Sequence, residues 1–236
     1  MQEKVKQFSE QGFAILPAIL SSAEILHLNS ILDRYRQSTM PSSSSAEIFA
    51  VRNLLQTIPE LAEVLKISIV PQLAEVFAGS KPSIIRSIYF NKPATANWVV
   101  PWHQDLTVNL KEKSSTNGFT KWAVKDGQLT AKAPAELLSK ILTLRIHLDD
   151  CNETNGALKV IPGSHLHGEL RTDDYLRTEL ERAVTCSVNS GGIMLMQPLL
   201  LHASSRSKGA ERRVIHLEFY SGELPAPLQW SEAIKL

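Results

Sequence analysis

Trp102-His103-Gln104-Asp105 is the stretch on which the reading of this chain turns. It follows Pro101 within a segment, Ser87 to Val108, rich in apolar and β-branched residues, which reads as the start of a strand. Side chains alternate faces along a strand, so His103 and Asp105 point one way and Gln104 the other. One imidazole and one carboxylate then converge on a single point. With a second histidine from elsewhere they form the three-residue face that holds iron(II) and leaves the far side of the metal open.

Downstream of this stretch the pattern is almost all β. Thr107 to Leu110 leads into a long segment, Lys111 to Lys132, that reads as irregular, with turn signals at Asn117-Gly118 and Asp126-Gly127. Pro134 to Lys140 reads as one or two helical turns, and the whole 111–140 connection has the length of a lid, with a solvated excursion carrying Lys111, Lys113, Lys121, Lys125 and Lys132 as the other reading; this connection with Trp98, Trp102 and Trp122 is expected to shape the pocket. Ile141 to Asp149 alternates, with Leu142, Leu144, Ile146 and Leu148 on one face and Thr143, Arg145, His147 and Asp149 on the other. Leu158–Ile161, Ala183–Val188, Ile193–Leu199 and Arg213–Tyr220 complete the strands, separated by Asn155-Gly156, Pro162-Gly163-Ser164 and Gly191-Gly192.

Upstream, residues 1–80 read as mainly helical. Gln2–Gln11 is amphipathic and leads into a brief strand, Gly12 to Pro17. Ser21 with Glu24 has the form of a capping box ahead of Ile25, Leu28, Ile31, Leu32 and Tyr35 at helical spacing. Pro41–Ser45 reads as a polar loop, and Pro59–Ile67 and Val70–Ala78 as further helices. Helices followed by short strands with Gly/Pro turns predict a single domain: a double-stranded β-helix (jelly roll) over 81–236 with the helical part packed on it.

Composition narrows the function classes. A formal charge of +1 without a basic block gives no nucleic-acid surface, and no apolar run reaches the roughly 18 residues of a membrane helix. The two cysteines, Cys151 and Cys186, read as free thiols of a cytoplasmic protein without a secretory signal. Oligomeric state has no signature in the sequence.

Among the seven histidines, His103-x-Asp105, His147-x-Asp149 and His165-x-His167 compete as ligand pairs. His165 and His167 follow Pro-Gly-Ser in a polar stretch, and Asp149 runs into Asp150, Asn152 and Glu153, the composition of a turn. His103 and Asp105 have apolar neighbours, and His202 ends the apolar run Ile193–Leu201 and can supply the third ligand.

Asn91-Lys92-Pro93 through Pro101-Trp102-His103-Gln104-Asp105, Asn155-Gly156-Ala157-Leu158-Lys159-Val160-Ile161-Pro162-Gly163-Ser164-His165, Leu199-Leu200-Leu201-His202-Ala203-Ser204 with Arg212-Arg213, and the opening Phe8-Ser9-Glu10-Gln11-Gly12-Phe13 together resemble the motifs of the phytanoyl-CoA dioxygenase family. The resemblance implies a dioxygenase dependent on Fe(II), 2-oxoglutarate and O2, with iron on His103, Asp105 and His202, acting on a small-molecule substrate. It implies that Arg213, 11 positions after His202, holds the distal carboxylate of 2-oxoglutarate, with Ser204 donating a hydroxyl. A planar guanidinium suits that task because it grips a carboxylate through two parallel bonds. The Thr143/Arg145 strand resembles the family strand whose inward residues touch the cosubstrate, although better-known members carry an aromatic residue at the position of Arg145. Gln104, beside the ligands, joins this set of cosubstrate residues. Asp105 stands where halogenating relatives leave room for chloride, which points to hydroxylation. Two rivals share the ligands: a jelly-roll isomerase or hydrolase using zinc, manganese or nickel, and a non-catalytic binding protein.

Overall fold

The computed structural model describes residues 1–39, 50–92, 99–207 and 210–236. The predicted Pro41–Ser45 loop, Pro93 and Trp98 lie outside them. The chain opens with α1 (Gln2–Gln11), which ends where Gly12 takes a left-handed φ of 80°. β1 (Phe13–Leu16) follows, then α2 (Ser22–Thr39), β2 (Ala50–Arg52), α3 (Leu54–Thr57), α4 (Pro59–Lys66) and α5 (Val70–Ala78). The capping box forms as read: Ser21 N–H donates to Glu24 Oε2 at 2.8 Å and Glu24 N–H to Ser21 Oγ at 3.3 Å.

The remaining strands are β3 (Ser83–Lys92), β4 (Val100–His103), β5 (Thr107–Asn109), β6 (Thr120–Lys125), β7 (Gln128–Lys132), β8 (Leu142–His147), β9 (Leu158–Val160), β10 (Val184–Cys186), β11 (Ile193–Met196), β12 (His202–Ser204) and β13 (Arg212–Tyr220), with α6 (Ala135–Leu138) and α7 (Thr172–Glu179) between them. They form two facing antiparallel sheets, ordered β1-β11-β8-β13-β3-β2 and β10-β9-β12-β4. This is the predicted double-stranded β-helix.

Residue alternation decides which side of the large sheet meets which partner. Leu142, Leu144 and Ile146 of β8 and Ile215, Leu217 and Phe219 of β13 face outward into one core with Leu28, Leu61, Leu65 and Leu73 of the helices. The opposite parity, Arg145 on β8 with Arg212, His216 and Glu218 on β13, faces a cavity of about 390 Å³ between the sheets. Where β9, β10 and β11 face each other the interior is apolar, filled by Val160, Cys186, Met194 and Met196. The space between the sheets is thus polar at the cavity and apolar around β9, β10 and β11.

The segment read as irregular is instead ordered. β6 and β7 form a hairpin through Asp126 (φ 49°) and Gly127 (φ 74°), and β7 also pairs with β5 to give a third, three-stranded sheet. Alternation failed as a guide here because β6 is mostly exposed on both faces. From this sheet Lys125, Gln128 and Thr130 reach the cavity wall; Trp102 and Trp122 do not. Both cysteines are free and buried.

Candidate metal centre

His103 is the last residue of β4 and Asp105 lies two residues beyond it, so the pair sits at a strand end rather than inside one. Asp105 N–H donates to Pro198 O at 2.9 Å, which ties this strand end to the residues ahead of β12. β12 pairs antiparallel with β4 and places His202 directly opposite His103, their ring centroids 4.2 Å apart. His103 Nε2 lies 3.7 Å from Asp105 Oδ1, and His202 Nε2 lies 3.7 Å from Asp105 Oδ2. The three ligand atoms fall within 4.8 Å of one another, as one divalent ion requires.

The donors are oriented for a metal by the backbone. His103 Nδ1 is 2.8 Å from Pro101 O and His202 Nδ1 is 2.8 Å from Leu200 O. A carbonyl only accepts, so each Nδ1 carries the proton and each Nε2 presents a lone pair to the centre. Burial drives His202 down to about 4, against the pull of Asp105, so its imidazole is neutral at pH 7. For Asp105, burial acts to raise the carboxyl, but His202, His103, His216 and Arg86 outweigh it and hold it below the usual range. Two imidazoles and one carboxylate with an open side fit iron(II).

The competing pairs dissolve. His147 is buried with neither ring nitrogen bonded among the described residues, and burial with Arg145 and Arg212 nearby keeps it neutral. Asp149 accepts from Arg213 Nε at 2.9 Å and Nη2 at 2.8 Å. His165 Nε2 meets Ser9 O at 3.1 Å, and a Cβ on Gly12 would fall 2.5 Å from His165 Nδ1, so the Phe8–Phe13 and Pro162–His165 motifs are two halves of one packing contact. Ser164 Oγ accepts Leu201 N–H at 2.8 Å and so helps seat His202.

Three cosubstrate expectations need correction. Arg213 does not face the cavity: it shares the outward parity of Ile215 and Leu217, and its two bonds to Asp149 hold its guanidinium there and raise its pKa. Arg212 faces inward instead, donating Nη1 to Gly156 O at 2.6 Å while its buried Nε has no partner among the described residues. Gly156 (φ 83°) makes this possible, since a Cβ there would lie 2.9 Å from Ser205 O. Gln104 is the second correction. Its amide donates to Gly168 O at 2.8 Å and Leu199 O at 2.6 Å and accepts Leu170 N–H at 2.9 Å, which commits it to the backbone.

Ser204 and Arg145 are brought together at the cavity, and Thr143 is the third correction. Ser204 lines the cavity with its buried Oγ unbonded among the described residues. Arg145 lines it too, whereas Thr143, fully buried on the same strand face, does not reach it. The sequence reading missed a polar chain along the cavity floor. Arg145 Nη1 donates to His216 Nδ1 at 3.0 Å, His216 Nε2 faces Glu218 Oε1 at 3.3 Å, and Glu218 accepts from Arg86 Nη1 at 2.8 Å. Its signal was the shared parity of Arg212, His216 and Glu218 on β13.

The chain is similar to several known proteins. An ectoine dioxygenase of Bordetella bronchiseptica is 24% identical over 188 residues, covering 73% of this chain and 54% of the relative, so the chain spans about half the length of that protein. An L-proline trans-4-hydroxylase of Streptomyces griseoviridis is 22% identical over 246 residues, covering 91% of this chain and 84% of the relative. The solved apoform of EctD from S. alaskensis superposes with a TM-score of 0.73 at 19% identity, covering 100% of this chain and 84% of that one. The model of the family described as Phytanoyl-CoA dioxygenase (PhyH) matches residues 8–215, and with most of the chain inside that match, the protein belongs to the phytanoyl-CoA dioxygenase family.

Proposed function

We propose that this chain is an iron(II)- and 2-oxoglutarate-dependent dioxygenase that hydroxylates a small organic molecule and releases succinate and CO2. The observation that carries the reading is the convergence of two Nε2 lone pairs and one carboxylate within 4.8 Å, beside a buried guanidinium and a buried hydroxyl. When bound, iron with O2 and 2-oxoglutarate supplies the oxidising chemistry that turns a substrate C–H into C–OH.

The chain's own residues then have separable tasks. His103, Asp105 and His202 hold the metal from one side, and the carbonyls of Pro101 and Leu200 fix both imidazole tautomers. Arg212 takes the role assigned by resemblance to Arg213: its Nε, which has no partner among the described residues, and the Ser204 hydroxyl bind the distal carboxylate of 2-oxoglutarate. Both groups are buried, so water competes weakly there. The β6–β7 hairpin within 111–140 serves as the lid, tied across the cavity mouth by Arg52 Nε to Asp126 at 2.7 Å. The relatives' names, an ectoine dioxygenase and a proline hydroxylase, support a small-molecule substrate. The two unpaired cysteines support a cytoplasmic setting.

Anaerobic calorimetry with iron-loaded protein tests the proposal. Wild type is expected to bind 2-oxoglutarate and, in air, to form succinate, while His103→Ala loses both. Protein that neither binds nor consumes 2-oxoglutarate, with His103→Ala indistinguishable from wild type, refutes it. The carboxylate clamp separates this reading from a zinc, manganese or nickel enzyme, which has no use for one, and succinate formation separates it from a binding protein.

A further inference from the structure

The cavity is lined by more positive charge than the cosubstrate uses. Its cations are Arg52, Arg86, Lys92, Lys125, Arg145 and Arg212. Arg86 is neutralised by Glu218 at 2.8 Å and Arg52 by Asp126 at 2.7 Å, while Lys92 donates to Ser205 O at 2.7 Å. Arg145 and Arg212 have no carboxylate within ion-pair distance among the described residues. On the proposed reading, 2-oxoglutarate brings two carboxylates, one for the metal and one for Arg212. Lys125 is exposed on the β6–β7 hairpin, so Arg145 is the buried guanidinium left over.

Arg145 is 7% exposed and has the marks of a prepared anion site. His216 accepts from Nη1, the Phe90 ring lies 5.9 Å from the guanidinium carbon, and Nε has no partner among the described residues. His216 is fixed in turn by Glu218, so the guanidinium is held in place by a group that cannot neutralise it. Burial and the charge of Arg212 push Arg145 down to about 10, which still leaves it a cation at neutral pH. An uncompensated buried charge costs several kcal/mol unless a ligand completes it.

Position separates this site from the cosubstrate clamp. On β13, Arg212 pairs with Lys92 of β3, whereas the residue opposite Arg145 is His216, four positions further on. At about 3.3 Å per residue the two arginines are anchored roughly 13 Å apart along the strand. Arg145 lies toward the end where Arg86 binds Thr107 O and Asn109, on the side of the hairpin. Phe90, Ile88 and Leu158 supply apolar wall around it.

We propose that Arg145 is a specificity-determining residue that binds a carboxylate of the primary substrate, so the enzyme acts on a small carboxylic acid. This rests on the dioxygenase reading. The acid is anchored on the guanidinium, and its hydrocarbon part runs along Phe90 and Ile88 toward the open side of the metal. Recognition is directional, because the planar fork fixes the carboxylate plane as well as its distance.

The test uses acetate and acetamide as paired probes on zinc-loaded protein saturated with 2-oxoglutarate, followed by the Arg145 Nε–H resonance in nitrogen-15 spectra. Acetate is expected to saturate with a millimolar Kd and move that resonance, and acetamide is expected to leave it unmoved. Arg145→Gln should weaken acetate at least ten-fold with the 2-oxoglutarate Kd changed less than three-fold, and Arg145→Lys should retain part of the acetate affinity. The inference is overturned if acetate fails to bind the 2-oxoglutarate-saturated protein, if it binds Arg145→Gln as well as wild type, or if Arg145→Gln weakens 2-oxoglutarate as much as Arg212→Gln does. The acetate–acetamide comparison needs no variant and so survives one that misfolds. Failure of wild type to bind 2-oxoglutarate at all would instead remove the dioxygenase reading.

Discussion

Exchanging the two neighbouring arginines for glutamine, one at a time, separates cosubstrate binding from strand anchoring. Arg212 donates Nη1 to Gly156 O, which orients the guanidinium, and among the described residues its Nε and the buried Ser204 Oγ are both unbonded. Removing one member of a buried, hydrogen-bonded charge pair costs about 2–5 kcal/mol. At about 1.4 kcal/mol per decade, Arg212→Gln should weaken 2-oxoglutarate roughly 30-fold to several thousand-fold. Arg213 instead holds both oxygens of Asp149, with side chains 17% and 23% exposed. Losing that bidentate pair should cost about 1–3 kcal/mol of stability. At about 2–4 °C per kcal/mol for a chain of this size, the melting temperature of Arg213→Gln should fall by roughly 2–12 °C. Its 2-oxoglutarate Kd should stay within about three-fold of wild type, an insensitivity that follows from its outward position. Calorimetric titration of each iron-loaded variant, with thermal melts alongside, gives both numbers. If Arg213→Gln abolishes 2-oxoglutarate binding and Arg212→Gln spares it, the parity argument on β13 is wrong.

Three further outcomes follow from the same geometry. Zinc or iron(II) at 100 times its Kd should stabilise wild type by about 2.7 kcal/mol, or roughly 5–10 °C in the melt, and His202→Ala should show no such rise. Gln104→Ala strands two carbonyls and one N–H, which should cost about 2–4 kcal/mol in urea denaturation, and it should loosen metal roughly 10–100-fold in chelator competition. Unchanged metal affinity would mean the amide has no hold on the ligands. Glu232 is buried against Ser87, and burial raises its pKa despite those bonds. Its folded pKa exceeds the unfolded one, so the native state binds the proton more tightly and loses that stability as pH rises through the folded value. Glu232→Gln should therefore gain on wild type in melting temperature between acidic and neutral pH, and a constant difference would contradict the sign.

How much of this was legible in the sequence depends on whether local chemistry or long-range register decides a position. The helix caps and the β8 alternation are local, and Ser21/Glu24 and Leu142–Leu148 form as read. His103, Asp105 and His202 could be joined because an apolar run delivers the last histidine to the strand beside the first. The inward arginine could not be found by counting from His202, since the count depends on the length of the connection before β13. A slip of one residue sends every side chain to the other face. The correct phase was nevertheless present, because Ile215, Leu217 and Phe219 mark the outward face and Arg213 shares their parity. The β6–β7 hairpin escaped for another reason: with β6 exposed on both sides, no hydrophobic phase exists to read, and only Asp126-Gly127 betrays it.

The three bonds of Gln104 bear on what the cage is before any metal arrives. One amide fastens the strand end carrying His103 and Asp105 to Leu199, just ahead of His202, and to the 168–170 segment; Asp105 N–H adds a second tie to Pro198. Both halves of the ligand set are therefore assembled by the folding of the barrel itself. A metal entering such a cage has little ordering left to do, so the conformational entropy that a floppy site would lose on binding is already spent, and affinity is set by the donors alone.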